Sequence, residues 1–513
     1  MDKKSGVYYY LTDNSLRVGG SSEFSGIVPM YTTKGTIGKR VEVTARNFRE
    51  KLGFDLGYNQ NYVGLERMLQ SVARLEVLRC NKDSTVAYKI WSADGTPQSA
   101  LDFGSADAVA FNATDNSVWV SCNSPGTWGN DFFVCFSCDG TPGDSSAVYT
   151  LHIYSVLRNV FSSVGEFEFS LSENSDIFYK NVSFGDFSFG FKGSFPSSSE
   201  FFVDVSQGFQ DDAKYKLHEG SNGSKLSASD VPGVFQAIDS SLANVVVMNG
   251  FIENPMTSGV GIIKAVMAYC GGQDRSVFLD APVIMDSSSG ILRATDDLFE
   301  WTKSLYDKDV GQYAQVSAVP DKVDVDGASV LIQPSVHLFG IYARMFATYG
   351  HVNFPPAGNT YGSVSVNSLL ESDFYLYGDE LKTNRVNYLT STSHGVCMWE
   401  YRTLYSLGNS DLSYANTPFI LRDLKGRLMS FMENFNFCYT TPVELLSIQS
   451  GLDSILSLFK RNFFLVDYSL VVPSYEEAQA AGRELSIDIS AAVINSADVI
   501  ILRASLKNAA NIR

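Results

Sequence analysis

Two of the seven cysteines come closest to a spacing that supports chemistry. Cys135 and Cys138 form a C-x-x-C pair, as found in zinc sites and in disulfide exchange. They fall in an apparent strand, where residues three apart point to opposite faces of the sheet. Cys122 and His152 are the nearest further ligands, but their spacing matches no standard zinc site. We therefore predict no metal site and interpret both cysteines as ordinary strand residues.

The motifs for phosphate, dinucleotide and nucleophile chemistry are also missing. Segment 35–40 reads GTIGKR, which lacks the four-residue gap of a P-loop and ends in Arg. Segment 259–261 reads GVG and lacks the third glycine and the acid of a dinucleotide site. The histidines pair with no recognisable nucleophile and acid, and we interpret them as packing or surface residues: His152, His218, His337, His351 and His394. We predict no catalytic residues and no cofactor, and therefore no enzyme.

Charge and hydropathy narrow the range of partners. The 513 residues carry a formal net charge of −17 and show no basic stripe, so we predict no binding to nucleic acid or to an anionic membrane surface. No apolar run reaches the roughly 18 residues of a membrane-spanning helix, and the start, MDKKSGVYYYLT, has no secretory core. We therefore expect that the protein does not insert into a membrane and that it is synthesised in a cytoplasm. Seven cysteines scattered along the chain do not form a disulfide framework, so we predict free, buried thiols; disulfides between subunits are the alternative.

The length and the local patterns predict a multidomain α/β (α+β) protein. Strands and helices alternate in most of the chain, whereas short alternating strands with few helix signals fill one long middle stretch. A chain this long exceeds the roughly 250–300 residues of a single core. The predicted parts are an N-terminal arm (1–24), the first part of an α/β core (25–81), an inserted all-β domain (82–205), a central α/β domain (206–400), a C-terminal α/β domain (401–495) and a C-terminal strand arm (496–513).

Each end of the chain offers a short β-favouring segment between flexible residues. The N-terminal segment is Val7, Tyr8, Tyr9, Tyr10 and Leu11, and the C-terminal segment is Val499, Ile500, Ile501, Leu502 and Arg503. Such segments suit strands that pair outside their own domain.

Several motifs, in order and over nearly the whole chain, resemble the family of contractile-tail sheath proteins. The most specific is segment 124–130, SPGTWGN, which resembles the family's S-P-G-x-W-G-N. Segment 333–344, QPSVHLFGIYAR, is similar to P-P-S-x-x-x-x-G-x-x-A-R, with Gln333 in place of the first Pro. Further matches are GVY at 6–8, LDAP at 279–282, PAG at 356–358, NRVN at 384–387 and WEYRTL at 399–404.

The resemblance implies a structural function. It implies a subtilisin-like central domain without catalytic residues, and copies that stack as helical rings, expected to be hexameric, around a tail tube protein. Baseplate and tail-terminator proteins are the further partners. It also implies that both terminal segments are exchanged between copies, and that the protein belongs to the tail sheath of a virion assembled in a bacterial cytoplasm. A phage-derived bacteriocin or injection particle, and a subtilisin-like hydrolase, remain alternatives.

Two further expectations concern charged residues. Lys460 and Arg461 end a predicted helix, and we interpret them first as complementing the dipole of that helix; contact with an acidic tail tube is the alternative. Arg344 lies on an apolar helix, so we expect a buried carboxylate partner, either Asp280 or Asp326.

Overall fold

The protein is described here by a computed structural model, which covers residues 10–11, 14–15, 24–92, 117–144, 146–157, 160–173, 181–198, 201–204, 214–366, 368–407 and 410–494. The first elements in chain order are β1 (Tyr10–Leu11), β2 (Asn14–Ser15), β3 (Gly26–Met30), β4 (Arg40–Val43), α1 (Phe48–Leu52), α2 (Asn61–Leu69) and β5 (Leu75–Arg79). The next described elements are strands, with a short 3-10 helix (Thr127–Asp131) between the second and the third: β6 (Tyr88–Ser92), β7 (Ser117–Cys122), β8 (Phe132–Asp139), β9 (Val148–Leu157), β10 (Val160–Ser170), β11 (Asn181–Phe184) and β12 (Phe187–Lys192).

Helices and strands then alternate to the end of the described chain. The central part contains α3 (Val231–Phe235), β13 (Val245–Val247), α4 (Gly259–Gly271), β14 (Ser276–Asp280), α5 (Asp296–Ser304), β15 (Ala314–Ala318), β16 (Asp321–Val325), β17 (Ala328–Ile332), α6 (Pro334–Tyr349), α7 (Gly358–Tyr361), β18 (Ser363–Val364), α8 (Gly378–Thr383), β19 (Val386–Thr392) and β20 (Gly395–Trp399). The last part contains α9 (Asn416–Glu433), α10 (Pro442–Arg461), β21 (Leu465–Val471), α11 (Tyr475–Ala480) and β22 (Asp488–Val493).

A nine-stranded mixed sheet forms the body of the molecule. Its order is β18-β20-β19-β15-β14-β13-β3-β5-β4, and the six strands from β19 to β5 are parallel. Strands β13 and β14 are almost continuously buried, as expected for parallel strands covered on both faces. Helix α6 packs closely over β3: a Cβ on Gly26 would lie only 2.6 Å from the Phe339 ring.

The inserted part is a separate β-rich unit with an aromatic core. It contains a three-stranded sheet, β10-β9-β8, and a four-stranded sheet, β11-β12-β7-β6. Phe136 lies at the centre of the core and meets Trp91 and Phe201 at ring-centroid distances of 5.8 and 5.2 Å. Residues 214–224 return alongside the start of the insertion, as in the bridges from Lys82 to Ser224.

Arg79 joins this unit to the body. It is 1% exposed and donates hydrogen bonds to the carbonyls of Thr32 (3.1 Å) and Pro125 (2.7 Å), and also to that of Gly35. Gly126, next to Pro125, has φ 137°, and a Cβ there would lie 1.8 Å from the Thr33 carbonyl oxygen. The SPGTW turn therefore lies directly against the body, and this contact requires a glycine.

The C-terminal domain is a helical hairpin with a small sheet. Helix α9 contributes Ile420, Leu424 and Leu428 to its core, and α10 contributes apolar residues at the same helical spacing: Ile448, Leu452, Leu456 and Phe459. Helix α10 begins at Pro442 after the N-cap Thr441, whose side chain accepts a hydrogen bond from the Glu444 N–H. Strands β21 and β22 pair with each other and pack against α10.

Among the helices that the structure describes, none is both long and apolar enough to cross a membrane.

Candidate functional site

The carboxyl ends of parallel strands are where open α/β sheets bind ligands, most often where the strand order reverses. In this sheet the order reverses between β3 and β13, and the helices α2 and α6 begin at this edge. Asp280, at the end of β14, accepts hydrogen bonds there from the N–H groups of Gly250 (2.8 Å) and Ser335 (2.8 Å) and from the Ser335 hydroxyl (2.9 Å). A carboxylate of the chain itself therefore takes up the helix N-terminus where a ligand would be expected.

This geometry speaks against the hydrolase alternative. Ser335 is 0% exposed. Its hydroxyl donates a hydrogen bond to Asp280 and accepts one from the Asn249 N–H at 3.1 Å. His337, two residues further along the helix, is also buried and lies 3.9 Å from Asp321. Burial raises the pKa of Asp280 to about 6, and it lowers the pKa of His337 to about 3. Ser335 has no histidine among its hydrogen-bond partners and does not reach solvent, so it is not an accessible nucleophile.

The three-stranded sheet holds a second polar cluster. His152 on β9 lies 2.8 Å from the Ser137 hydroxyl and 3.2 Å from the Glu166 carboxylate. The expectation that no histidine pairs with a nucleophile and an acid is therefore wrong for His152. Because His152 is only 5% exposed, these two bonds satisfy both nitrogens of a buried ring, which is a structural role.

The C-x-x-C cysteines and Arg344 have ordinary structural surroundings. Cys135 and Cys138 lie in β8 as free thiols, and no group of three or more potential metal ligands occurs within the described residues. Arg344 is exposed and donates to the Tyr361 carbonyl at 2.9 Å. The predicted buried carboxylate partner is wrong, because the side chain lies on the solvent face of α6 and Asp280 is already occupied by Ser335.

An open sheet on the C-terminal domain is the candidate functional site. It contains only β21 and β22 among the described residues, so the outer edge of each strand is unpaired in that part of the chain. Tyr468, Leu470 and Ile489 face the helical core, whereas Val466 and Val471 are 56% and 59% exposed. Two-stranded sheets are marginal alone, and open edges are templates for added strands.

The predicted donor segments lie mostly outside the described residues. Of the N-terminal segment the structure describes only Tyr10 and Leu11, which pair antiparallel with Ser15 and Asn14 in a two-residue ladder. Val7, Tyr8 and Tyr9 lie outside the described residues, as does the whole C-terminal segment, Val499, Ile500, Ile501, Leu502 and Arg503. Their role in strand exchange stays a prediction.

Lys460 and Arg461 lie at the C-terminal end of α10, both exposed. Lys460 forms an ion pair of 2.7 Å with Asp467 on β21, and its ammonium group lies 5.9 Å from the Tyr468 ring. Arg461 follows at the last helical position. This end of the helix therefore stands beside the open sheet, and contact with a tube stays a prediction.

Comparison with known proteins identifies solved structures that are similar to this chain. No family model matches the chain, and no curated protein matches it. Among solved structures, it is similar to a sheath tail protein from Desulfitobacterium hafniense, with a TM-score of 0.54 at 13% identity over 91% of this chain and 93% of the other. A sheath tail protein from Listeria innocua has a TM-score of 0.53 at 11% identity, over 93% and 96% of the two chains. The anti-feeding prophage helical sheath in the contracted state has a TM-score of 0.52 at 10% identity, over 99% and 100%.

The chain therefore has the fold of tail sheath proteins, over nearly its whole length. The resemblance read from the sequence motifs is confirmed at the level of the fold, and so is the mixed α/β fold class.

Proposed function

We propose that the chain is the structural subunit of a contractile tail sheath. The observation that carries this proposal is the likeness to sheath proteins over at least nine-tenths of both chains. Fold alone does not fix function. The second support is that, within the part of the chain that the structure describes, the outer edges of β21 and β22 are unpaired, because a polymer needs a surface that accepts its neighbours.

In this proposal the copies are joined by exchanged strands. Segments 7–11 and 499–503 of neighbouring copies add to the edges of the β21–β22 sheet by β-augmentation. Each segment has five residues and β21 has seven, so an added strand forms about four or five main-chain hydrogen bonds. At roughly 0.5–1.5 kcal/mol net per bond, one strand contributes only a few kcal/mol. Several such strands per copy act together, and their combined avidity holds the lattice.

The polymer so formed surrounds a tail tube as stacked rings, which we propose are hexameric. The domains rotate while the exchanged strands stay paired, so the sheath shortens without coming apart. Contraction then drives the tube through a host envelope. We propose a bacteriophage tail, with baseplate and tail-terminator proteins as partners, assembled in the bacterial cytoplasm and carried in the virion. A bacteriocin or injection particle is the alternative.

The test is polymerisation of the purified chain, followed by negative-stain microscopy. The full chain is expected to form striated tubes, whereas deletion of residues 1–12 or of residues 498–513 is expected to leave folded monomers. Deletion of residues 504–513 is the matched control: it shortens the same end but keeps the strand, and it is expected to polymerise. Normal tubes from either strand deletion would remove the exchange mechanism, and absence of any polymer from the full chain would remove the sheath function.

A further inference from the structure

A groove of about 970 Å³ lies beside α9, between the C-terminal domain and the body. The chain just before β13 lines it, and Arg275 holds that chain in place by donating hydrogen bonds to the carbonyls of Ser241 (2.7 Å) and Ala243 (3.1 Å). Phe346 on α6 and Phe431 on α9 also line the groove. Because these elements are packed into the fold, the groove is a fixed feature of the molecule.

The groove is not built for a small anion. Each of the four cationic side chains that line it already bonds within the protein: Arg275 as above, Arg422 to the Ser276 hydroxyl (3.0 Å), Lys425 to Asp274 (2.8 Å) and Arg427 to Asp423 (2.8 Å). An anion would compete with these bonds, whereas an uncharged stretch of chain would leave them intact. Leu242, which is 63% exposed on the groove, is an apolar side chain that such a stretch can cover.

The chain itself meets the groove at Phe24, which is the first described residue after Ser15. Phe24 lines the groove and is only 8% exposed. Its ring lies 5.4 Å from the ring of Phe339 and 6.3 Å from that of Phe346, both on α6. The N-terminal arm is therefore anchored at the groove, and the residues that precede Phe24 must begin there.

Strand register places the start of the arm beside the exposed Leu242. Strands β3 and β13 are parallel neighbours, with Gly26 opposite Val245. Leu242 lies three residues before Val245, and Glu23 lies three residues before Gly26. Adjacent strands are about 4.8 Å apart, so we expect Glu23 to lie within side-chain contact of Leu242.

We propose that segment 16–23 docks in the groove of its own copy. The segment reads LRVGGSSE. Its small residues, at 19–22, let the main chain approach the groove closely. Leu16 and Val18 supply apolar side chains that cover the exposed apolar part of the groove.

Connection and charge both favour this segment as the occupant. It is joined directly to Phe24, so its effective concentration at the groove is about millimolar or higher, which a segment of another molecule would have to exceed. Its two charged residues, Arg17 and Glu23, cancel in net charge. A segment without net charge suits a groove whose cations are already paired.

Docking of the segment limits how far the N-terminal strand can reach. Residues 12–23 separate Leu11 from Phe24 and, fully extended, span at most about 43 Å. With segment 16–23 held in the groove, only residues 12–15 remain as a spacer, and they span at most about 14 Å. The groove then determines which neighbouring copy the strand can join. This consequence rests on the proposed function, whereas the docking itself concerns a single copy.

Disulfide trapping in the dilute, monomeric chain tests the proposal. The exposed thiol of Cys438 is first removed in the variant C438S. In that background one cysteine replaces Ser430, which is exposed on α9 and lines the groove, and a second replaces one residue of the segment in turn: L16C, V18C or G20C. Mild oxidation is expected to close a loop within one chain in at least one of the three pairs, seen as faster migration on a non-reducing gel.

S447C is the matched control for S430C. Ser447 on α10 is also exposed but does not line the groove, so none of its three pairs is expected to form the loop. Covalent dimers in place of the loop would mean that another copy supplies the segment, and no disulfide in any S430C pair would mean that the segment lies elsewhere. Either result overturns the proposal.

Native trypsin sites cover the case in which the cysteine variants fail to fold. Arg17 lies in the segment, whereas Lys4 lies before it. Because a protease needs a free stretch of chain, the parent is expected to be cleaved after Arg17 at least about ten-fold more slowly than after Lys4. Leu242→Glu places a charge on the groove and is expected to remove this protection. Leu376→Glu is its matched control, since Leu376 is 65% exposed away from the groove, and it is expected to keep the protection.

Equal cleavage after Arg17 and Lys4 in the parent would also overturn the proposal, as would undiminished protection in L242E. Neither assay requires a polymer, so such a failure leaves the sheath function standing. Conversely, a chain that forms the loop but never polymerises would keep this docking and remove the sheath function.

Discussion

Replacement of Asp280 by Asn tests how the body of the protein is held at the carboxyl ends of its strands. The Asp280 side chain is mostly buried and accepts three hydrogen bonds, from Gly250 and Ser335. An amide has one oxygen and one NH₂ group, so in D280N one backbone N–H faces another donor. An unpaired buried donor costs about 1–3 kcal/mol. The variant is therefore expected to be destabilised at every pH at which the protein folds.

The pH dependence gives a sharper expectation. Burial raises the pKa of Asp280 from 3.8 to about 6, so the folded state binds this proton more tightly than the unfolded chain. The stabilisation from this proton is complete below the pKa of Asp280 in the unfolded chain. It is lost as the pH rises through the pKa of Asp280 in the folded protein. At about 1.4 kcal/mol per pKa unit, the protonation of Asp280 changes the free energy of unfolding by at most about 3 kcal/mol. Between about pH 7.5 and pH 5.5, roughly 1 kcal/mol of it is recovered.

The assay is thermal unfolding of the parent and of D280N at about pH 7.5 and pH 5.5, which keeps the protein above its isoelectric point near 4.8. Acidification should stabilise the parent relative to D280N by about 1 kcal/mol, or roughly 2 °C in Tm. His337 is buried with a lowered pKa and destabilises both proteins equally on acidification, so the comparison removes its effect.

Ser335→Ala is the matched control with the opposite sign. It removes one hydrogen bond to the carboxylate and so raises the pKa of Asp280 further, which should make the pH dependence steeper than in the parent. A difference between parent and D280N that does not change with pH would refute this reasoning, since it would mean that Asp280 titrates as an exposed group.

Two further predictions concern charged residues. Arg79→Met should lower stability by about 3 kcal/mol or more and expose the joint with the inserted unit to proteolysis, because three backbone carbonyls lose their donor; unchanged Tm and cleavage would contradict it. In K460E/R461E, purified monomers should keep their Tm within about 1 °C, since both residues are exposed, but should no longer decorate tail tubes. Undiminished decoration would favour the helix-dipole interpretation.

Much of the fold follows from local pattern. Strand β5 reads LEVLR and is mostly buried, and the buried residues of the two long C-terminal helices α9 and α10 have helical spacing. Helix α4 is harder to predict, because it begins with the glycines of GVG, which disfavour a helix. Its buried residues, Ile263, Val266, Met267 and Cys270, nevertheless have helical spacing, so the period was the signal that mattered there.

Contacts between segments that lie far apart in the sequence could not be predicted in the same way. The groove beside α9 brings together segments near residues 240, 273, 352 and 425, and only the tertiary fold sets these side by side. The contacts of His152 depend on strand register, because Glu166 lies directly opposite it on β10. An alternating pattern in β8, β9 and β10 was visible, but the register that joins these residues is fixed by the turns and by packing of the other face.

A density map of the assembled polymer, at a resolution that traces the main chain, tests the central claim most directly. We expect segments 7–11 and 499–503 of neighbouring copies to lie hydrogen-bonded along the edges of the β21–β22 sheet. A map in which both segments pair only within their own molecule, with the edges of that sheet left open, would contradict the account.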